Sequence, residues 1–251
     1  MAFLITLIAL VVERFFDWGH LRQWGWFSRY QTWLMARVEK WRVRPAFIVA
    51  IVPVLLAVFL ISVALGDWLY GLPRFVFGVF VLIYCLGPQN IWAQTYAAIS
   101  SPEQARAAFA VDPNNHEAFL RAIFIAANQR IFAVLFWFVL LGPLGAVFYR
   151  LIAISAESDA MAMKVLQVLD WVPARLLTLT FALGGHFMRV VPFWKKVFTQ
   201  GLSSSNDLVA DCGIAALDMD SAASAEKQAL ALLDRAFVIS LVLLAIFVLM
   251  S

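Results

Sequence analysis

The chain has 251 residues, of which 63% are hydrophobic and 14% are charged, against about 45–50% and about 25% in soluble proteins. Its mean hydropathy is +0.85. A soluble domain of this size cannot bury so much apolar surface, which excludes an ordinary soluble enzyme, a disordered chain and a disulfide-rich secreted module. The net charge of +3 is too small to indicate nucleic-acid binding. The composition therefore predicts an integral membrane protein whose first partner is the lipid bilayer.

The N-terminal apolar run has neither a basic segment before it nor a small-residue cleavage site after it. We interpret residues 1–18 as an uncleaved short helix, either a span or an interfacial anchor. The following segment, 19–44, carries six Arg and Lys residues against one Glu, with tryptophans at near-helical spacing. This pattern predicts a basic amphipathic interfacial helix on the inner leaflet, because short basic loops stay in the cytoplasm.

The rest of the chain predicts an all-α protein with about four to five transmembrane helices, organised as a single polytopic membrane domain, 1–251. Residues 43–92 hold two spans, residues 131–191 hold a broken span and a polar span, and 236–251 is a C-terminal span. The apolar stretches are 43–65, 69–92, 131–154, 171–191 and 236–250, the last needing a start near Ala229 to reach full length. Gly142-Pro143 leaves open whether 131–154 crosses the membrane or is re-entrant.

Two polar segments are predicted to be cytoplasmic, 93–130 as a helical segment and 192–235 as a loop. In the first, Asp112-Pro113 predicts a helix start, and nothing breaks that helix until Gly142. Glu117, Arg121 and Asn128 share one face of it, either as a solvated stripe or as part of a site, and Glu117 and Arg121 have the favoured ion-pair order.

The polar span carries Arg175 and His186 eleven residues apart, on one helical face. A cation within a span is costly unless it faces a cavity or a partner, and Glu13 is the first candidate partner for Arg175. In the second polar segment, Asn206 or Asp207 is placed to cap a helix over 208–217. The sequence contains no nucleotide-binding or metal-spaced motif, so no metal is predicted and the cofactor stays unknown. Cys85 and Cys212 are not expected to form a disulfide.

Several of these stretches together resemble the AmpE family of inner-membrane proteins of Gram-negative bacteria. They are LIALVVERFF at 7–16, LFW at 135–137 with Gly142-Pro143, VLDWVPARL at 168–176 and ALGGH at 182–186. The resemblance implies a multi-pass protein of the bacterial inner membrane, linked to β-lactamase induction, ampicillin resistance and peptidoglycan recycling. It implies a signalling modulator that binds an anionic, envelope-linked ligand, which includes phosphorylated small molecules.

The chain is also similar, more distantly, to the CobD/CbiB proteins of cobalamin synthesis, which form an amide bond in an ATP-dependent step. That similarity gives the alternative function, a membrane enzyme that forms or cleaves an amide or phosphate linkage, with unknown catalytic residues. The relatives carry a Glu-Asn pair and a nearby Asp before the third span, where this chain has Ala126-Ala127-Asn128-Gln129-Arg130. The predicted ligand-binding residues are Glu13, Arg14, Asn128, Arg130, Arg150, Arg175, His186 and Asn206.

Overall fold

The computed structural model describes residues 2–15, 24–38, 46–66, 71–86, 91–101, 103, 109–111, 115–197, 205–217 and 222–250. Every regular element in these ranges is helical, which confirms the predicted all-α class. By length and composition, four of the described helices can cross a membrane, and two further apolar helices are shorter. The four are Phe47–Ala64, His116–Leu141, Ala160–Gly184 and Ala225–Ile246. The chain is thus a multi-pass membrane protein.

Packing divides the chain into two compact units, Met1–Pro88 with Val134–Leu169, and Gln89–Ala133 with Asp170–Ser251. The organisation as one polytopic domain stays a prediction. The helices that build the first unit are α1 (Ala2–Phe15), α2 (Gly25–Val38), α3 (Ala46–Ala64), α4 (Leu72–Cys85), α7 (Ala133–Leu141), α8 (Pro143–Ser155) and the beginning of α9 (Ala160–Gly184).

In the first unit, α4 packs against both α1 and α8, and α8 also packs against α3. Helix α2 is amphipathic, with Phe27 buried and Arg29 exposed, and its place at the membrane interface stays a prediction. The indole Nε1 of Trp26 donates a hydrogen bond to the hydroxyl of Tyr84 at 2.8 Å, which ties α2 to α4. By contrast, α3 leaves most of its apolar side chains exposed, as expected for a helix whose solvent is lipid.

The predicted break at Gly142-Pro143 is confirmed, because α7 ends at Leu141 and α8 begins at Pro143. Gly142 has φ 67°, a conformation that favours glycine, and Pro143 occupies the first helical position, where its missing N–H costs nothing. At the corner, Gly145 lies against the carbonyl oxygen of Trp137. The apolar stretch 131–154 is thus two helices joined by a sharp turn, and whether it crosses the membrane or is re-entrant stays open.

The second unit is built around α6 (His116–Ala127), which continues through a π-helical turn (Asn128–Phe132) into α7. Helices α5 (Ile91–Ser100), α11 (Ser205–Ala216) and α12 (Ala222–Met250) pack on α6, and α10 (Phe187–Val197) packs on α11. The helix continues without a break to Leu141, as the sequence predicted for the segment before Gly142. The predicted start at Asp112-Pro113 lies outside the described residues, and the observed cap is Asn115, whose side chain accepts a hydrogen bond from the N–H of Ala118.

The predicted limits of the polar span were wrong, whereas the C-terminal span starts early enough to reach full length. The polar span does not cover 171–191, because α9 begins at Ala160 and ends at Gly184, after which α10 is a separate helix. The start signal is Asp159, whose carboxylate accepts hydrogen bonds from the N–H groups of Met161 and Ala162. The C-terminal span does start before 236, since α12 runs from Ala222 to Met250.

Both cysteines are free and buried, and Cys212 lies within α11. Burial, followed by the negative charge of Asp211, raises the pKa of the Cys212 thiol to about 12 from 9.0. Only the thiolate attacks maleimides, so the raised pKa predicts that Cys212 is labelled much more slowly than a free thiol near neutral pH.

We therefore expect Cys212 of the folded Cys85→Ala variant to resist maleimide at about pH 8 and to react faster as the pH rises towards about 12. The same protein unfolded in detergent serves as the control and should label at once. Mass spectrometry of the labelled chain measures both rates, and equal rates would contradict the burial of this thiol.

Candidate functional site

The π-helical turn after α6 contains a buried amide that has no partner. Asn128 is 0% exposed, and neither its side-chain oxygen nor its side-chain nitrogen has a hydrogen-bond partner. A buried polar group left unpaired costs about 1–3 kcal/mol, and π-helical turns occur frequently at functional sites. The amide of Asn128 thus lowers the stability of the free protein at the place where the regular α-helix is interrupted.

The next residue, Gln129, joins three helices through polar side chains. Its amide nitrogen lies 3.5 Å from the carboxylate oxygen Oδ2 of Asp170 in α9 and 3.4 Å from the amide oxygen of Asn206 in α11. Asp170 is only 2% exposed. These contacts are long for hydrogen bonds, so the donors and acceptors keep room to rearrange around a bound group. We call Asn128, Gln129, Asp170 and Asn206 the amide cluster.

Arg130, in the same π-helical turn, contacts a fourth helix, α5. Its Nη1 donates to the side-chain oxygen of Gln94 in α5 at 2.6 Å, and its guanidinium lies 5.9 Å from the centre of the Phe109 ring. On α5, the neighbouring Thr95 is 0% exposed and its hydroxyl has no partner. The unit therefore carries several buried polar groups within its helical core.

An ion-pair network fixes α6 against α11 beside the amide cluster. The guanidinium of Arg121 donates to Asp211 and, at 3.1 Å, to Asp207. Asp207 is adjacent in sequence to Asn206, so this network holds the helix turn that presents Asn206. Glu117, which has the favoured ion-pair order with Arg121 in the sequence, is exposed, and Arg121 reaches across to α11 instead. The charged side chains are partly exposed, so each pair contributes less than about 1 kcal/mol.

The structure gathers some of the predicted ligand-binding residues and separates others. Asn128, Arg130 and Asn206 lie at or beside the π-helical turn. Arg175 contacts its own helix, with Nη1 donating to the Trp171 carbonyl oxygen at 2.9 Å and the guanidinium 3.9 Å from the centre of the Trp171 ring. No carboxylate partner for it is described, and the side chains of Glu13 and Arg14 lie outside the described residues.

Two further candidates, Arg150 and His186, have contacts of their own. Arg150 is part of the first unit, where its electrostatic neighbours are Cys85, Tyr149 and Glu157 and its Nε has no hydrogen-bond partner. His186 follows the end of α9 and donates its backbone N–H to Ala216, the last residue of α11. Asn206 is at the other end of α11, ten residues or about 15 Å away. A single site containing all eight residues stays a prediction.

Gln129 and Asp170 were not among the predicted residues, whose only acid was Glu13. The signal that could have found them was Asp170 itself, since an acid within a helix apolar enough to span a membrane marks a functional position. Asp170 belongs to the stretch 168–176, which entered the sequence analysis only through its resemblance to the AmpE family. Among the described residues, no group of three or more His, Cys, Asp or Glu side chains is arranged to hold a metal ion.

Comparison with known proteins gives one match over the whole chain. The family model described as "Regulatory signalling modulator protein AmpE" matches residues 1–251. No solved structure matches the chain.

Two curated relatives match over shorter segments, and both are named "Cobalamin biosynthesis protein CobD". The protein from Stutzerimonas stutzeri is 35% identical over 82 residues, which cover 27% of this chain and 26% of the relative. The protein from Chromobacterium violaceum is 31% identical over 114 residues, which cover 40% of this chain and 36% of the relative. The chain thus matches well under two thirds of the length of either relative.

Proposed function

The chain belongs to the AmpE family of regulatory signalling modulators, and we propose that it modulates β-lactamase induction at the bacterial inner membrane by binding an anionic ligand from the cell envelope. The binding site in this proposal is the amide cluster together with Arg130. We place it on the cytoplasmic side, because the basic segment 19–44 favours retention in the cytoplasm and the segment 93–130 lies two predicted spans later.

The observation that carries the proposal is the unpaired amide of Asn128. An amide offers both a donor and an acceptor, and here both are buried and unused. A ligand that supplies one of each would recover the desolvation cost already present in the free protein. The neighbouring Gln129 can then exchange its long contacts with Asp170 and Asn206 for shorter ones to the ligand.

The charges of the cluster narrow the ligand class. Arg130 supplies a cation for a carboxylate or phosphate, whereas the carboxyl oxygens of Asp170 suit an N–H donor of the ligand. A ligand that carries an acidic group together with amides or an amine fits both. Muropeptides, the sugar–peptide fragments released when peptidoglycan is recycled, have this chemistry.

A second candidate function is amide-bond formation of the CobD type, and the local identity to the two CobD proteins supports it. The two functions differ in one measurable respect. A modulator binds muropeptides saturably and leaves them unchanged, whereas a ligase consumes ATP and forms a new amide in proportion.

The deciding variant is Asn128→Leu, which keeps the branched shape of the asparagine side chain and removes both unpaired polar atoms. We expect it to abolish β-lactamase induction while raising the stability of the purified protein by about 1–3 kcal/mol. Induction is measured with the chromosomal enzyme in a strain that lacks its own copy of the family member, and stability by thermal unfolding.

Thr180→Val is the matched control, since the Thr180 hydroxyl is also buried in the second unit but is hydrogen-bonded to the Leu177 carbonyl oxygen. It should lose stability and keep induction. Normal induction with Asn128→Leu would show that the amide is structural, and a large loss of stability would show that it has a partner.

A further inference from the structure

A cavity of about 420 Å³ lies in the second unit, away from the amide cluster. Three elements enclose it: the turn between α9 and α10, the end of α11, and one face of α12. Its lining residues are Gly184, Gly185, His186, Ala216, Leu217, Gln228, Ala231, Leu232 and Arg235. Ala216 and Asn206 are at opposite ends of α11, so the cavity is about 15 Å from the amide cluster.

The wall of the cavity is fixed by close backbone contacts. A Cβ atom on Gly185 would lie 2.6 Å from the carbonyl oxygen of Ala216, so only glycine allows α9 and α11 to end this close together. Arg235 donates from Nη1 to the Gly184 carbonyl oxygen at 3.2 Å, and Arg189 donates to that of Leu217 at 3.1 Å. These hydrogen bonds tie α12 to the end of α9, and α10 to the end of α11, around the cavity.

The polar side chains that line the cavity are an arginine, a histidine and a glutamine. Arg235 has five N–H donors in a planar fork, and one of them is used for the Gly184 carbonyl. Gln228 is two turns earlier on the same face of α12. None of the described lining residues is acidic. A planar guanidinium with an amide beside it suits the oxygens of a phosphate group.

The surface beside the cavity is apolar and exposed. Leu183, Met188 and Val238 are 56%, 80% and 61% exposed, and each is within three residues of a lining residue in sequence. Both α9 and α12 are long and apolar enough to span a membrane, and the cavity lies at the end of α9. A basic cavity between two helices that can span a membrane, with exposed apolar side chains near it in sequence, is suited to bind a phospholipid by chain and headgroup together.

We propose that this cavity binds a phosphate group, carried by an anionic phospholipid of the surrounding membrane. Arg235 forms the bidentate contact, Gln228 supports it, and the acyl chains lie against Leu183, Met188 and Val238. The same phosphate chemistry is offered by soluble phosphate esters, so the experiment includes both sources.

The test is native mass spectrometry of the delipidated full chain in a zwitterionic detergent, titrated separately with phosphatidylglycerol, phosphatidylcholine and glycerol 3-phosphate. We expect one saturable phosphatidylglycerol site, weakened about tenfold or more by Arg235→Gln. Ala231→Phe, which fills the cavity without changing any charge, should weaken it equally. Lys227→Gln makes the same charge change on α12 at an exposed residue that does not line the cavity, and should bind like the parent.

Saturable glycerol 3-phosphate binding that Arg235→Gln weakens would assign the phosphate group to a soluble ester. Parent-like phosphatidylglycerol binding in both Arg235→Gln and Ala231→Phe would overturn the proposal, as would equal weakening by Lys227→Gln or equal binding of phosphatidylcholine. If Arg235→Gln does not purify as a monodisperse protein, Ala231→Phe decides alone.

Discussion

Replacing Gly145 with alanine is expected to lower the stability of the protein by about 3 kcal/mol, or the melting temperature by about 6–12 °C. A Cβ atom at this position would overlap the Trp137 carbonyl oxygen and lie 2.8 Å from the Cβ of Leu141. The obstacle is backbone, which cannot rotate away as the end of a flexible side chain can. The corner between α7 and α8 would have to open, and α8 would lose its packing on α3 and α4.

Gly25→Ala is the matched control, because Gly25 starts α2 with no heavy atom within 4 Å of the place that a Cβ atom would occupy and no positive φ. It should be neutral or slightly stabilising, since alanine favours the helix over glycine by about 1 kcal/mol. Fluorescence-detected size-exclusion chromatography after heating measures both variants in one detergent. Equal melting temperatures for the two would show that the corner relaxes without cost.

This corner shows how far the sequence could predict the fold. Gly142-Pro143 predicts a break in the helix, because the conformational freedom of glycine and the missing N–H of proline are properties of the residues themselves. The requirement for glycine at position 145 depends on how closely two helices approach, which no local pattern contains. The start of α9 was missed for the opposite reason: Asp159 is a local signal, but the apolar run in the sequence begins twelve residues later, after Asp170.

The candidate site, too, combines residues that the sequence could indicate with residues that only the packing of helices brings together. Asn128, Arg130 and Asn206 could be chosen from the sequence, through the resemblance to CobD/CbiB proteins. Their partners could not, because Gln129 meets Asp170 only when α9 packs beside the π-helical turn. Arg175 looked like a ligand-binding cation because a charge in a span needs a partner. In the structure its stabilisation comes from within its own helix, from the Trp171 ring and carbonyl.

Replacing Gly213 with alanine should disturb the packing on which the amide cluster depends. A Cβ atom there would lie 2.6 Å from two atoms of the Phe124 ring, which is fully buried and packs edge-on against Phe181 at 5.2 Å. The ring is thus held between α9 and α11 and has no free direction in which to move. We expect a loss of about 1–3 kcal/mol, and with it a separation of α11 from α6.

A second substitution, at Phe124, should restore the stability that Gly213→Ala loses. If the ring of Phe124 is the obstacle, Phe124→Leu removes ring volume and should restore most of the stability lost in Gly213→Ala, although Phe124→Leu alone leaves a cavity and is itself destabilising. A double-mutant cycle of melting temperatures measures this coupling, which should favour the double variant by about 1 kcal/mol or more. Additive losses would show that Gly213 is needed for another reason.

The same cycle links packing to function. Separation of α11 from α6 moves Asn206 away from Gln129, while Asn128 keeps its place in the π-helical turn. Gly213→Ala should therefore reduce β-lactamase induction even at a temperature where the variant is still folded, and Phe124→Leu should restore induction together with stability. Induction that stays at the level of the parent in a folded Gly213→Ala variant would remove Asn206 from the binding site and leave the unpaired amide of Asn128 to act without α11.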